Sequence, residues 1–254
     1  MEHFFTAQKS QPSAFALEFH IISNILLYMS VLLPVCRYKR HPDERYLHKV
    51  LAILQLIEYL SIFIWYYVSG YLDFPLPLYH CRLAKLILIL TAFAGFGGRL
   101  RSLYVYAAPL SIVGAVSSFL IPNVDPFPWP HLTYIGYFFG HYILMLQAMA
   151  ALMRDTAGLS KSDFWQGQGI LFLANILIMA VARYTGTNYS YMLESPIFTD
   201  TFAKLSPPIY TLAIFLVYAL LYCASFAAAR LLQRTADKIR FFSTANSQRA
   251  HPDK

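Results

Sequence analysis

The feature that most constrains this chain is a set of apolar runs that are each about as long as a membrane-spanning helix. A helix rises about 1.5 Å per residue, so about 20 mostly apolar residues cross the hydrocarbon core of a bilayer. The runs lack the alternation of polar and apolar residues that is typical of a transmembrane β-barrel. We therefore predict an all-α polytopic membrane protein, a bundle of seven transmembrane helices. The seven runs are Leu17–Cys36, Val50–Gly70, Leu78–Gly95, Ser102–Ile121, His131–Met153, Phe164–Tyr184 and Pro208–Leu232.

The composition supports a membrane protein and excludes several other classes. Of the 254 residues, 57% are hydrophobic and only 13% are charged, whereas about 25% of the residues in a soluble domain are charged. The same composition excludes a disordered tail, a disulfide-stapled secreted module and a collagen-like fibre. The formal net charge is +7, but the basic residues lie between the apolar runs and form no contiguous stripe. We therefore predict no nucleic-acid partner.

The positions of the basic residues predict the orientation, because short cytoplasmic loops collect Lys and Arg. Basic residues follow the first, third, fifth and seventh runs, whereas the loops 71–77 and 122–130 contain neither Lys nor Arg. The N-terminus is then outside and the C-terminus is cytoplasmic, in a multi-pass protein of the cell membrane. We predict an extracellular segment 1–16, a transmembrane domain 17–232 and a basic cytoplasmic tail 233–254.

The cysteines favour neither a disulfide framework nor a zinc site. Cys36, Cys81 and Cys223 are odd in number and have different predicted depths, and Cys-x-x-Cys and His-x-x-x-His spacings are missing. We predict no metal and no cofactor. Cys81 differs from the other two by its position, because Pro77 is predicted to open the third helix and leaves Cys81 about one turn inside it.

Two interpretations of Cys81 follow from its neighbours. A helix N-terminus stabilises negative charge, and Arg82 and Lys85 lie beside Cys81 and one turn further along. These features favour a thiolate and make Cys81 a candidate nucleophile. The other interpretation, which the residues alone favour, is that Cys81 is a small packing residue and the two cations reach toward the outer headgroups.

Ionisable residues inside the runs are candidates for function, because a charge at mid-bilayer costs at least about 2.5 to 3.5 kcal/mol on insertion scales. Glu58 lies roughly 15 Å from the outer end of the second run and Lys85 about 12 Å beyond Pro77, so we predict an ion pair between them. The pair is either structural or part of a polar cavity.

His141 is the candidate general base, since a Cys–His couple is a recognised nucleophile and base. It lies about 15 Å into the fifth run, and its counted depth differs from that of Cys81 by about 10 Å. The other interpretation is a core histidine with satisfied hydrogen bonds. Asn188, in the loop after the sixth run, either orients a histidine or an oxyanion, or caps its own turn.

Short segments in a fixed order carry a resemblance to a known family. They are Leu76–Cys81 at the start of the third run, Pro122, Pro130–His131 and Phe138–His141 leading into the fifth, and Gly186–Tyr191 after the sixth. Together these segments resemble the YwaF-type bacterial integral membrane family, which is related to the eukaryotic transmembrane protein 164 family. The resemblance extends from about the second run to the seventh.

The resemblance implies a fold and an activity. The eukaryotic relatives are regarded as acyltransferases that act on membrane phospholipids with a catalytic Cys and His, and their fold is similar to that of the androgen-induced threonine hydrolases of fatty-acid esters. On this sequence, Cys81 would be the acyl-accepting nucleophile and His141 the general base. The chain departs from the bacterial pattern after the Cys, where Arg82 and then Lys85 replace a small or polar residue. These cations would either bind a phosphate headgroup or indicate lipid binding in place of the chemistry.

We therefore predict a lipid-directed acyltransferase or hydrolase whose Cys81–His141 pair, assisted by Asn188, lies in an intramembrane pocket open to the outer leaflet. Its partners would be membrane lipids, as phospholipid or acyl-chain substrates. One alternative is a non-catalytic lipid-binding or anion-binding protein, or a transporter, and a third hypothesis is a seven-helix receptor or assembly partner. The polar cavity of the alternative would be lined by Arg82, Lys85, Glu58 and His141. The residues predicted to contact substrate are His20, Glu58, His80, Arg82, Lys85 and Tyr189.

Overall fold

The computed structural model describes residues 4–8, 17–30, 46–71 and 75–250. Within these ranges every regular element is helical, which confirms the all-α prediction there. Short helical turns occur at Gly98–Leu100, Tyr189–Tyr191 and Thr199–Phe202. Each of the seven apolar runs overlaps one longer helix: α1 Leu17–Ser30, α2 Tyr46–Ser69, α3 His80–Ala94, α4 Arg101–Leu120, α5 Leu132–Arg154, α6 Lys161–Thr185 and α7 Pro207–Ala250.

Five of these helices are long and apolar enough to cross a membrane, namely α2, α4 with its preceding turn, α5, α6 and α7. The described part of α1 has 14 residues and α3 has 15, fewer than the roughly 20 that a full span requires. Residues 31–36, including Cys36, lie outside the described residues. The chain is thus a multi-pass membrane protein, while the count of seven spans and the orientation stay predictions.

Helix α5 occupies the interior of the bundle and contacts α2, α3, α4 and α7. In the most apolar 18-residue stretch of α5, 78% of the residues are buried, whereas the same share is 28% in α6 and in α7. The outer faces of α6 and α7 carry exposed apolar side chains such as Phe172, Leu212 and Leu220. An apolar surface of this kind suits contact with lipid tails rather than water.

A charge cluster fixes the end of the bundle at which α5 ends and α6 begins. Arg101 Nη1 lies 2.6 Å from Asp155 Oδ2, and Arg101 Nη2 lies 2.8 Å from Asp163 Oδ2. Asp163 and Ser160 also form a reciprocal capping box at the start of α6, which satisfies backbone groups that have no partner inside the helix. One arginine therefore joins the ends of three helices.

The start of α3 differs from the predicted one. The prediction that Pro77 opens this helix is wrong, because the helix begins at His80 and Tyr79 is extended, with φ −93° and ψ 137°. The cause is tertiary. The hydroxyl of Ser190 donates to Leu78 O at 2.8 Å and accepts from the His80 N–H at 3.1 Å, which holds the chain extended at this point.

Candidate active site at the start of the third helix

The loop after α6 positions the first turn of α3. Ser190, with its hydroxyl bonded on both sides of Tyr79, has a left-handed φ of 47°, and its carbonyl accepts a hydrogen bond of 2.8 Å from the Tyr218 hydroxyl. Cys81 is consequently the second residue of α3. It lies among the first backbone N–H groups, which have no partner inside the helix.

Cys81 is a free thiol that is partly buried against the main apolar cluster of the bundle. Its burial disfavours a charged sulfur, whereas the positive charges of Lys85 and Arg82 favour one. The helix terminus and the two cations therefore favour a thiolate at this position, and the burial of the thiol opposes it.

The predicted ion pair between Lys85 and Glu58 is confirmed. Lys85 Nζ lies 2.9 Å and 3.0 Å from the two carboxylate oxygens, and both side chains are buried, at 6% and 7% exposure. Gln55, one turn earlier on α2, donates to Glu58 Oε2 at 3.0 Å and to Gly140 O at 3.3 Å. Sequence reasoning missed Gln55, although a second polar residue three positions from Glu58 was a usable signal.

Two glycines of α5 allow α2 and α3 to approach closely. A Cβ at Gly140 would lie 2.5 Å from Glu58 Oε1 and closer still to Lys85 Nζ, while a Cβ at Gly136 would overlap the side chain of Ile62. Glycines four residues apart are typical of tightly packed membrane helices. This spacing was a second signal that the sequence carried and the prediction did not use.

His141 follows Gly140 and is buried. Its Nδ1 lies 2.6 Å from the carbonyl oxygen of Tyr137, and a carbonyl only accepts hydrogen bonds, so Nδ1 carries the proton. In the neutral ring the lone pair is then on Nε2, which is the basic nitrogen. The Tyr137 ring, whose centroid lies 4.6 Å from that of His141, helps to hold the imidazole in place.

Cys81 and His141 share their surroundings. Lys85 and Arg82 act electrostatically on both, and the Cys81 sulfur also acts on Tyr137, the residue that holds the His141 ring. In the part of the chain that the structure describes, no hydrogen bond joins the sulfur to the imidazole. The two groups thus lie within electrostatic range of the same two cations, and their direct reaction stays a prediction.

Arg82, one of these two cations, is held among aromatic rings. Its guanidinium carbon lies 5.2 Å from the ring centroids of Phe63 and Tyr79 and 5.1 Å from that of Tyr66, an arrangement that favours a cation. Arg82 Nη2 donates to the Tyr66 hydroxyl at 3.0 Å, and this hydroxyl donates to Asp125 at 2.7 Å. Burial raises the pKa of the Asp125 carboxyl above its usual value. Sequence reasoning missed Asp125, which lies in a loop.

A sequence model of the TMEM164 family matches residues 6–228. The chain belongs to the TMEM164 family. The match includes Cys81, His141 and the Ser190 loop, and it confirms the family relationship that the short segments indicated. Neither the curated proteins nor the solved structures that were compared with the chain gave a match.

Two predicted site residues of this TMEM164 family member, His80 and Tyr189, are engaged elsewhere. His80 Nδ1 lies 2.8 Å from the Tyr106 hydroxyl, and His80 Nε2 lies 2.8 Å from Asn175 Oδ1. Tyr189 is 1% exposed and lies in an apolar cluster of α6 and α7. His20 belongs to α1, and its side chain lies outside the described part of the structure. Contact of these residues with substrate stays a prediction.

Asn188 stabilises its own loop. Its Oδ1 accepts from the backbone N–H groups of Leu193 and Glu194 at 2.9 Å and 3.2 Å, and its Nδ2 donates to Glu194 O at 2.8 Å. These bonds use the amide to hold the segment that carries Ser190. Its predicted action on a histidine or an oxyanion is not tested by this arrangement.

A cavity of about 330 Å³ lies beside the same loop in this TMEM164 family member. It is lined by residues between 183 and 211, among them Arg183 and Glu194, and not by Cys81, Lys85 or His141. Among the described residues, no group of three or more His, Cys, Asp or Glu side chains is placed to hold a metal ion.

Proposed function

We propose that this TMEM164 family member is a thiol-dependent acyltransferase or hydrolase of membrane lipids, with Cys81 as the nucleophile and His141 as the general base. The observation that carries the proposal is the hydrogen bond from His141 Nδ1 to the carbonyl of Tyr137. It leaves Nε2 basic and fixes the ring near Lys85 and Arg82, the two cations that also act on Cys81. Nucleophile, base and orienting group are the parts that covalent catalysis requires.

The reaction would proceed in two halves. His141 Nε2 takes the thiol proton while the sulfur attacks the carbonyl carbon of a lipid ester, and the leaving alcohol receives that proton as the carbon–oxygen bond breaks. The acyl group is then a thioester on Cys81. An alcohol of a second lipid, or water, gives its proton to Nε2 and attacks the thioester, and the departing sulfur regains the proton.

The start of α3 would stabilise the negatively charged groups that form during this reaction. Backbone N–H groups of a first helical turn stabilise an oxyanion at the carbonyl that is attacked, and they also stabilise the thiolate. The two hydrogen bonds of the Ser190 hydroxyl hold this turn in place, so we assign Ser190 a positioning role. Asn188 supports the same loop, and the proposal depends on Cys81 and His141 alone.

Arg82 and the orientation of the chain define the lipid that would reach the site. We infer that the protein lies in the cell membrane with the N-terminus outside, as the loop charges predict. The loop that contains Asp125 then faces the outer surface, and Arg82 lies below it. In this setting Arg82 would contact the phosphate of an outer-leaflet phospholipid, while Glu58 neutralises Lys85 deeper in the bundle.

Lipid profiling tests the chemistry without a prior choice of substrate. Cells that carry wild type, Cys81→Ala or His141→Gln are compared, and the acyl-chain composition of their phospholipids should change only when both residues are present. Cys223→Ala is the matched control, because Cys223 is also a free thiol but is exposed on α7. Equal lipid profiles for wild type and Cys81→Ala, at equal protein levels, would refute the proposal.

A thiol-reactive probe gives a second, faster test. A thiol-reactive probe should label Cys81 of the wild type, and fluorophosphonates should not block this labelling. The variant Cys81→Ser should stay unlabelled at that position. Labelling of wild type and Cys81→Ser at the same positions would mean that Cys81 is not a reactive thiol.

The buried ion pair favours a second candidate function. Charged residues inside membrane helices often line the path or the binding site of a polar solute, so the Arg82, Lys85, Glu58 and His141 cluster would instead bind an anion or a lipid headgroup. In that case Cys81→Ala keeps the activity, whereas Arg82→Ala and Lys85→Ala lose it. The acyl-transfer proposal expects the opposite result for Cys81.

A further inference from the structure

Three buried side chains of α2 and α5 have polar atoms without a hydrogen-bond partner among the described residues. Gln147 is 0% exposed, Gln55 is 0% and His48 is 1%. Within the described part of the chain, both amide atoms of Gln147, both ring nitrogens of His48 and Oε1 of Gln55 have no hydrogen bond. Buried polar atoms without a bond are rare in native proteins because their desolvation is costly.

The packing of α2 against α5 sets the relative levels of these side chains. The two helices run antiparallel, since Gly136 lies against Ile62 near one end and Leu51 packs with Leu146 near the other. Gln147 follows Leu146 directly, so it lies at about the level of Leu51. Gln147 is also 11 and 7 positions from Gly136 and Gly140, intervals that keep residues on the same helix face.

The unpartnered atoms therefore form a row rather than isolated defects. Leu51 lies between His48 and Gln55 on α2, and these two residues are about 10 Å apart along the helix. Gln147 projects from the opposite helix at the level between them. The His48 end of the row is close enough to Arg154, the last residue of α5, for an electrostatic interaction. At the other end, Gln55 donates to Glu58.

The chemistry of the row matches one small ligand. A neutral imidazole offers one donor and one acceptor, the Gln147 amide offers both, and Gln55 Oε1 offers an acceptor. Water both donates and accepts, and internal water typically makes about three hydrogen bonds to buried polar groups that lack protein partners. An anion needs hydrogen-bond donors, whereas Gln55 Oε1 is an acceptor. A cation favours a carboxylate, whereas Gln147 is a neutral amide.

We propose that His48, Gln147 and Gln55 bind a file of internal water molecules that connects the Glu58–Lys85 ion pair with the Arg154 end of the bundle. The file exchanges water and protons between that end and the buried carboxylate. It does not depend on the chemistry proposed for Cys81. A loss of lipid activity in Cys81→Ala tests the enzyme, and the experiments below test the file.

Cysteine accessibility measures whether water reaches the row. The chain with Gln147→Cys and the chain with Ala148→Cys are treated in lipid nanodiscs with the small water-soluble reagent 2-aminoethyl methanethiosulfonate, and mass spectrometry locates the label. Both positions are 0% exposed, but Ala148 packs in the main apolar cluster. We expect Gln147→Cys to react several times faster than Ala148→Cys. Equal rates at the two positions would overturn the proposal.

Thermal unfolding of Gln147→Leu gives an independent result. If water bonds the amide, the apolar side chain leaves that water without a partner and Tm falls. If the amide is dry, its replacement by an apolar side chain of similar size removes a buried unpaired group and Tm rises. A higher Tm for Gln147→Leu would overturn the proposal. Should this variant fail to fold, the accessibility of Gln147→Cys still decides.

Discussion

At the scale of single residues, the absence of a side chain at Gly140 is as important as the charges beside it. The space that a Cβ would take is filled by the ammonium group of Lys85 and the carboxylate of Glu58. The ion pair therefore lies directly against the backbone of α5. This contact joins α2, α3 and α5 at the level of His141.

Gly140→Ala should destabilise the protein by about 1–3 kcal/mol, because the added methyl group displaces buried charged groups that cannot move into water. The measurement is thermal unfolding in detergent. Gly169→Ala on α6 is the control, since a Cβ there meets nothing within 4 Å, and alanine should leave stability unchanged or raise it by up to about 1 kcal/mol. Equal effects of the two substitutions would contradict the close packing at Gly140.

Lys85→Met should destabilise the protein by about 3–5 kcal/mol, because it leaves the buried carboxylate of Glu58 without its cation. The double variant Lys85→Met with Glu58→Gln should recover much of this loss, since no buried charge remains and Gln55 still has an amide to bond. Unfolding of the single and double variants measures the difference. Lys204→Met, at an exposed position, should change stability by less than about 0.5 kcal/mol. Additive losses in the double variant would argue against a direct ion pair.

At the scale of elements, the start of α5 depends on a neutral histidine. The ring of His131 caps the helix by accepting from the Thr133 N–H at 3.2 Å, and its other nitrogen lies 3.1 Å from Thr6 O. Burial lowers the pKa of His131 below the ordinary value of 6.5. A protonated ring has no lone pair to accept the capping hydrogen bond.

Stability should therefore decrease as the pH falls below about 6.5, because the unfolded chain binds a proton at His131 that the folded chain excludes. In His131→Asn, asparagine still caps the helix but does not titrate. Its stability should be lower at neutral pH, since the ring contacts with Phe127 and Trp65 are lost, but its dependence on pH should be weaker. Unfolding of both proteins across this pH range measures the two slopes. Parallel slopes would show that His131 does not contribute.

The elements also show what the sequence predicts and what it does not. Within the described residues each apolar run overlaps one longer helix, and counting residues from Pro77 and from the outer end of the second run correctly paired Glu58 with Lys85. Both results depend on local pattern and the regular rise of a helix. The start of α3 was predicted at Pro77 because proline suits a first turn, but the contact with Ser190, 110 residues away from His80, determines the start at His80. Bonds of this kind arise only once the chain is folded.

At the scale of the whole molecule, α5 is the central helix and also the best reporter of orientation. The loop before it, which includes Asn123, contains no Lys or Arg, whereas the turn after it lies beside Arg154 and the Arg101 cluster. The positive-inside rule then predicts that Asn123 is outside and that the turn at Ala157 is cytoplasmic. This orientation would bring the lipids of the outer leaflet to the Cys81 end of α3.

Introduced cysteines at these two exposed positions should distinguish the sides of the membrane. In intact cells, a membrane-impermeant maleimide should label Asn123→Cys and not Ala157→Cys, and in inverted vesicles the pattern should reverse. The parent chain, with its own three cysteines, supplies the background. Labelling of Ala157→Cys alone in intact cells would invert the orientation and place Cys81 near the inner leaflet. Labelling of both positions from one side would show that α5 does not cross the membrane, which the burial of this helix at the centre of an apolar bundle argues against.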